Sequence, residues 1–168
     1  MNLVKIHDSN FDDLWQTLFL ESGFQHPLYQ SWNLKYYKAY AKDSQFLEFS
    51  MVIEEQQVPL IGIRMAIRES SEGSRELSCY GLPILYLESQ KEDGNKYRKA
   101  HKILKSELES LLKIYDVTKI IYKDLLFQNR LSFISHFLLD TGAVASPCFT
   151  QMIDLSPSES KLYQQVRK

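Results

Sequence analysis

Segments whose apolar residues recur at helical spacing alternate along the chain with segments rich in β-forming residues. Apolar residues recur at helical spacing in four segments, 11–19, 24–44, 93–115 and 129–142. Runs rich in β-forming residues occupy 46–55, 58–69, 76–88, 117–124 and 145–156, and a weakly alternating stretch at 2–6 predicts a short first strand. The predicted order is therefore β-α-α-β-β-β-α-β-α-β.

Local signals sharpen several of these boundaries. Ser9 with Asp12 predicts a capping box at the first helix, which Gly23 then closes. The polar pair Gln56 and Gln57 separates two β-rich runs and predicts a hairpin. A helix stands between the runs 76–88 and 117–124, so we expect those two strands to be joined by a parallel crossover.

This order predicts an α/β (α+β) fold. Long hairpin strands come first and alternating helices and strands follow, which favours a mixed sheet with helices on both faces. The apolar stripe of the long helix should lie against that sheet; its members are Ile103, Leu104, Leu108, Leu111, Leu112 and Tyr115.

Composition is that of an ordinary globular protein. Of the 168 residues, 44% are hydrophobic and 24% are charged, and 20 Lys and Arg against 21 Asp and Glu leave a net charge of −1. That balance excludes a global basic footprint for nucleic acid but leaves a local patch open. The start has no signal-peptide h-region and no segment is long enough to span a membrane, so we expect a cytoplasmic protein.

Conventional catalytic and metal motifs do not emerge. The two cysteines form no CxxC pair, and the four histidines have no ligand spacing, so no metal site is predicted. His136 is interpreted as a packed or partly exposed residue. Asp124 ends a strand, where sites form in α/β proteins, although such residues also commonly cap the next helix.

The predicted order of elements resembles the GNAT acyltransferase fold, and three stretches narrow the resemblance. FQHPLY (24–29) and CYGLPILY (79–86) look like the glutamine-x-proline and tyrosine-glycine-proline motifs of Fem-type peptidyl transferases. FTQMIDLSPSESKLYQQVRK (149–168) looks like the junction between the two GNAT-like halves of those proteins, with Ser156, Pro157 and Glu159 as its helix-start signal.

The resemblance implies a domain division. Residues 1–155 would form a GNAT-like N-terminal domain, and 156–168 would begin a junction helix that leads to a missing second, C-terminal GNAT-like half. The apolar residues Leu162, Tyr163 and Val166 of that helix would favour self-association, so a homodimer is possible.

The same resemblance directs attention to the donor. A GNAT enzyme that uses acyl-CoA needs a glycine-rich turn before its long helix, whose backbone amides hold the pyrophosphate. Here ESQKEDGNKYRKAH (88–101) has one glycine, Gly94, so we expect no cofactor in this half. The donor of the full-length protein would be aminoacyl-tRNA or acyl-CoA, and the acceptor a small molecule or a cell-envelope precursor.

Candidate substrate-binding residues come from the family motifs. The family's acceptor-binding lysine matches Asn33, with Lys35 and Lys38 further along, and this departure weakens the case for a nucleotide-linked peptidoglycan precursor. The aspartate that follows the Gly-Pro stretch has no counterpart, and Glu88 is the nearest carboxylate. The full candidate set is His26, Asn33, Tyr37, Lys38, Tyr80, Gly81 and Glu88. For Tyr80 and Gly81, a structural role in bending the strand is favoured over ligand binding.

Three functions follow from these expectations. The first is the N-terminal domain of a FemAB-like acyl or aminoacyl transferase that forms amides, supplying the acceptor-side wall and inactive alone. The alternative is a degenerate, non-catalytic GNAT-like interaction or dimerisation domain. A complete single-domain acyl-CoA N-acyltransferase ranks third, because the glycine-rich turn is the part such enzymes can least replace.

Overall fold

A computed structural model of the chain describes residues 1–23, 29–30, 39, 45–69, 71–78, 84–87, 94–124 and 131–146. Within these ranges the helices are α1 (Phe11–Glu21), α2 (Gly94–Ile114) and α3 (Phe133–Asp140). The strands are β1 (Asn2–Lys5), β2 (Gln45–Glu48), β3 (Met51–Glu55), β4 (Val58–Ile63), β5 (Ala66–Glu69), β6 (Arg75–Ser78), β7 (Leu85–Tyr86) and β8 (Lys119–Ile121).

The described strands form two four-stranded sheets. The first has the order β1-β3-β4-β7 and is antiparallel throughout, and the second has the order β2-β5-β6-β8. In the second sheet β6 and β8 are parallel, with Leu77 opposite Ile120, which confirms the predicted crossover through α2. The α/β (α+β) class with a mixed sheet is confirmed, and the described strands are divided between two sheets.

Strand alternation separates two hydrophobic cores. Met51 and Ile53 of β3 belong to the core under α2 and α3, whereas Val52, between them, belongs to the core under α1. Successive side chains of a strand point to opposite faces, so helices cover both faces as predicted. The stripe of α2 is also confirmed, since Leu104, Leu108 and Leu111 are buried and its other members pack against the same core.

Close packing of α1 depends on a glycine. A Cβ atom at Gly62 of β4 would lie 2.6 Å from Leu18 and 2.9 Å from Trp15. The absence of a side chain there lets α1 approach the sheet, and the Trp15 indole donates a hydrogen bond to the Tyr29 carbonyl at 3.0 Å. Tyr29 is fully buried.

The chain crosses between the two sheets at a buried ion pair. Arg64, 2% exposed, stands between β4 and β5, and its guanidinium lies 3.7 Å from the Glu48 carboxylate. The Ser50 hydroxyl donates to the same carboxylate at 3.1 Å, and the guanidinium lies over the Trp15 ring at 4.5 Å. These contacts compensate both charges, without which burial would be costly.

Turn predictions met mixed outcomes. The hairpin at Gln56 and Gln57 is confirmed: both residues have positive φ, 53° and 65°, as a two-residue type I′ turn requires. Gly23 and Gly142 follow α1 and α3 in the left-handed region, as expected for C-terminal caps. The capping box at Ser9 is wrong, because Asn10 is the N-cap and no side chain caps the helix.

Some predictions fall outside the described residues. They include most of the helix at 24–44, the centre of the strand at 76–88, most of the strand at 145–156 and the junction helix from 156 to 168. In the parts of the chain that are described, no helix combines the length and apolar character that a membrane span needs.

Candidate functional site

The candidate site lies at the point where β7 and β8 diverge into different sheets. β8 follows β6 in parallel as far as Ile121 opposite Ser78, while β7 joins the other sheet and pairs with β4. In α/β proteins ligands bind beyond the carboxyl ends of strands, at points where neighbouring strands diverge. The groups that line this point in the described structure are therefore the first to examine.

A tyrosine side chain bridges the two strands. The backbone N–H of Ile84, one residue before β7, donates to the Tyr122 hydroxyl at 3.1 Å. Tyr122 follows β8 directly, and its hydroxyl lies 3.0 Å from Ser132 Oγ at the start of α3. Since the tyrosine oxygen accepts from Ile84, its own proton is available to the serine. One hydroxyl thus ties β7, β8 and α3 together.

The start of α3 is held by an aspartate from the end of β8. Asp124 accepts 2.6 Å hydrogen bonds from the Ser132 backbone N–H and from the Ser135 hydroxyl. Ser132 is the N-cap, and its side chain accepts from the Ser135 backbone N–H at 3.4 Å. Of the two interpretations open for Asp124, the structure supports helix capping.

A cluster of aromatic side chains packs close to these hydrogen bonds. Tyr86 Oη lies 3.2 Å from His101 Nε2, and the His101 ring stacks on Phe133 with centroids 4.2 Å apart and planes inclined by 5°. Tyr97 stands edge-on to Tyr86 and donates its hydroxyl proton to the Leu87 carbonyl at 2.7 Å. The cluster joins β7, α2 and α3. We use the name junction, which here does not mean the junction helix at 156–168, for the residues joined by these hydrogen bonds and ring contacts: Ile84, Tyr86, His101, Tyr122, Asp124, Ser132 and Phe133.

Burial keeps the titratable members of the cluster neutral. It lowers the pKa of His101 from 6.5 to about 4, because the imidazolium loses hydration without gaining an anionic partner. Burial also raises the pKa of Tyr86 above its ordinary value, and the nearby Phe133 backbone offsets part of that rise. A neutral imidazole of such low basicity is poorly matched to base catalysis near pH 7.

The junction uses internally the groups that a ligand would need. The Ile84 amide is taken by Tyr122, and the amide and hydroxyl donors at the start of α3 are taken by Asp124 and Ser132. An apolar cavity beside it, lined by Leu108, Ile120 and Phe137 among others, is no larger than a water molecule. In this arrangement the Ile84 amide is not free to hydrogen-bond an acyl-CoA arm.

The sequence-predicted site residues are not among those the structure describes. His26, Asn33, Tyr37, Lys38, Tyr80, Gly81 and Glu88 all lie outside the described ranges. Their grouping into an acceptor site therefore stays a prediction, as does the cofactor-free turn at 88–93. His136 is exposed on α3, where a packed or partly exposed position was predicted.

Of the residues that form the junction, sequence reasoning singled out Asp124 and missed the others. In the sequence, Tyr122 is one more apolar position at a strand end and His101 one residue of the long helix. Ser132, directly before an apolar run, is a signal typical of a helix start.

Comparison with known proteins identifies the fold. No protein-family model matches the chain, and no curated protein matches its sequence. Solved structures do match. Glucosamine-6-phosphate N-acetyltransferase from Arabidopsis thaliana has a TM-score of 0.52 at 11% identity, covering 91% of this chain and 98% of that one. An acetyltransferase from Trypanosoma brucei has a TM-score of 0.51 at 13% identity, covering 90% and 98%.

A third structure agrees with these two. A predicted acetyltransferase from Clostridium acetobutylicum, solved with acetyl-CoA, has a TM-score of 0.51 at 12% identity and covers 90% of this chain and 95% of that one. Identities this low show the shared fold alone. The chain therefore has a GNAT-like fold, as the predicted order of elements implied.

Proposed function

We propose that this chain is an acyltransferase domain and, more narrowly, the acceptor-side half of a FemAB-like transferase that forms amides. The GNAT-like fold supports the broad class of reaction, in which an amine attacks an activated carbonyl carbon. The motif resemblances at 24–29, 79–86 and 149–168 support the narrower one.

One observation carries the assignment of the domain to the acceptor side. The Tyr122 hydroxyl occupies the Ile84 amide at the point where the strands diverge, so that edge is not offered to a donor. A domain whose strand edge is closed in this way depends on another domain for the activated acyl group. Catalysis would then rest on positioning the acceptor amine against a donor held elsewhere.

A non-catalytic interaction domain is the second candidate, and the same junction favours it. Its hydrogen bonds are made between parts of the fold, as a purely structural element requires. A single-domain acyl-CoA N-acyltransferase is the third, and the occupied Ile84 amide counts against it.

The test compares the chain with the complete reading frame that encodes it. Each is incubated with a panel of amine acceptors that includes small molecules and cell-envelope precursors, together with either acetyl-CoA or aminoacyl-tRNA, and amide products are detected by mass spectrometry. We expect no product from residues 1–168 and a product from a longer protein that contains a second GNAT-like half.

Two results would contradict the proposal. Product formed by residues 1–168 with acetyl-CoA would support the single-domain enzyme. A stop codon directly after Lys168 would support the interaction domain.

A further inference from the structure

Charge is segregated along helix α2. Its first thirteen residues, 94–106, contain five basic residues, Lys96, Arg98, Lys99, Lys102 and Lys105, and no Asp or Glu. That stretch alone carries a charge of +5, whereas the whole chain carries −1. The acidic residues Glu107 and Glu109 appear only in the second half of the helix. A nearly neutral chain thus concentrates positive charge on one segment.

Four of these cations share one exposed face. Arg98, Lys99, Lys102 and Lys105 are exposed, and their spacing of three, four and seven residues places them side by side. We call these four residues the basic stripe. Lys96 lies beside it, half-buried, and pairs with Glu55 at 3.4 Å.

Within the described residues, most of the basic stripe has no compensating charge. Lys105 lies 3.9 Å from Glu109, but Arg98, Lys99 and Lys102 make no ion pair there. Some exposed lysines elsewhere do find carboxylates: Lys5 is 2.6 Å from Glu107 and Lys119 is 3.0 Å from Glu76.

The arrangement opposes helix stability. Like charges three and four residues apart repel each other. This repulsion is relieved when an anion binds, so the basic stripe is an unfavourable feature of the free protein that a negatively charged partner would remove.

We propose that the basic stripe docks the phosphodiester backbone of a nucleic acid strand. From Arg98 to Lys105 the helix rises about 10 Å, which spans successive phosphates of a strand rather than one phosphate group. The four residues follow one another along the helix surface, whereas a small anion requires donors that converge on one point. Counterion release would supply the affinity, without sequence preference.

A membrane surface fits less well. The exposed neighbours of the stripe, Asn95 and Ser106, are polar, and the stripe includes no exposed apolar side chain that could enter a bilayer. Interfacial helices combine a basic face with an apolar one that is free to insert, but here the apolar face of α2 is buried against the sheet.

The test measures binding of a fluorescein-labelled 12-nucleotide single-stranded RNA by fluorescence anisotropy between 50 and 200 mM salt. The stripe variant is R98Q/K99Q/K102Q. The matched control is K113Q/K119Q/K123Q, which removes the same charge from exposed lysines elsewhere. Circular dichroism shows whether each variant is folded, and glutamine is a good helix former.

We expect the wild type to bind with a plot of log affinity against log salt of slope about −2, as three phosphate contacts to a single strand predict. The stripe variant should bind at least about tenfold more weakly at 50 mM salt with a slope near zero, and the control should change less than about threefold.

Three results would overturn the proposal: no binding of RNA by the wild type, equal losses in the two variants, or binding of phosphatidylserine vesicles or polyglutamate in place of RNA. Binding of CoA that only the stripe variant loses, without RNA binding, would equally overturn it and assign the stripe to a nucleotide.

Discussion

Helix α2 presents two regions with opposite electrostatic character. Its inward side contributes His101 to the junction, where polar groups of β7, β8, α2 and α3 satisfy one another by hydrogen bonds. Its outward side carries the basic stripe, where Arg98, Lys99 and Lys102 have no ion-pair partner in the described structure.

The contrast between the junction and the basic stripe separates polar groups that stabilise the fold from polar groups that we propose bind a partner. A buried group that is satisfied internally stabilises the native state, and its removal costs free energy. A cluster of uncompensated charges destabilises the native state, and its removal is favourable. Substitutions in the two regions should therefore change stability in opposite directions.

The largest effect is expected at Asp124. Replacing it with alanine removes the acceptor of two 2.6 Å hydrogen bonds and the anion at the start of α3. We expect the free energy of unfolding in urea to fall by about 2–3 kcal/mol. The matched control is D140A, at the exposed end of α3, which should change it by less than about 0.5 kcal/mol. Equal effects of the two substitutions would contradict a capping role.

The Tyr122 bridge should rank second. In Y122F the ring remains, but the Ile84 amide and the Ser132 hydroxyl lose their shared partner. We expect a loss of about 1–2 kcal/mol in urea unfolding, the usual penalty of leaving a buried donor unsatisfied. Y115F is the control, because the Tyr115 hydroxyl makes no hydrogen bond within the described residues. A loss no greater than that of Y115F would contradict the bridge.

The pH dependence of stability tests the aromatic cluster. Folding lowers the pKa of His101 from 6.5 to about 4, so between these values the unfolded chain binds more protons. Its contribution to stability is complete above pH 6.5 and is lost as the pH falls towards 4. Unfolding measured at pH 7, 5.5 and 4.5 should show a smaller decline in H101Q than in the wild type.

The control for this measurement is H136Q, at an exposed position, whose decline should match that of the wild type. If H101Q and the wild type lose stability in parallel, the imidazole is not held in its neutral form by burial.

The smallest effect on stability is expected at the basic stripe, and it is the one that should increase stability. R98Q/K99Q/K102Q should raise the free energy of unfolding by about 0.5–1 kcal/mol, because three repelling charges leave the first half of α2. The gain should shrink at 1 M salt, where surface charges are screened. A loss of stability at low salt would show that these side chains stabilise the fold, and the contrast with the junction would disappear.

Local features of this fold were accessible from the sequence. The hairpin at Gln56 and Gln57, the apolar stripe of α2 and the end of α1 at Gly23 each depend on neighbouring residues and the period they follow. The failed capping box at Ser9 shows the limit of such signals. A serine followed by an acidic residue is common, and the helix begins two residues later without a side-chain cap.

The junction could not be predicted in the same way. Ile84 and Tyr122 of the junction are 38 residues apart, so their contact depends on how the sheets and helices are placed. The same holds outside the junction, where Arg75 donates a hydrogen bond to the Tyr115 carbonyl across 40 residues. The basic stripe could be predicted in part. Its charges are evident in the sequence, but the fold determines which face of α2 is buried. Family motifs directed attention instead to residues such as His26 and Tyr80, whose role stays a prediction.

Calorimetric titration of the chain with acetyl-CoA and CoA tests the central claim most directly. A junction closed by Tyr122 predicts no heat of binding from a folded sample, in the wild type and in the control Y115F alike. Micromolar binding of acetyl-CoA by the wild type would contradict the account, because the strand edge would then be open to a donor and the chain would have the binding site of a single-domain acyltransferase.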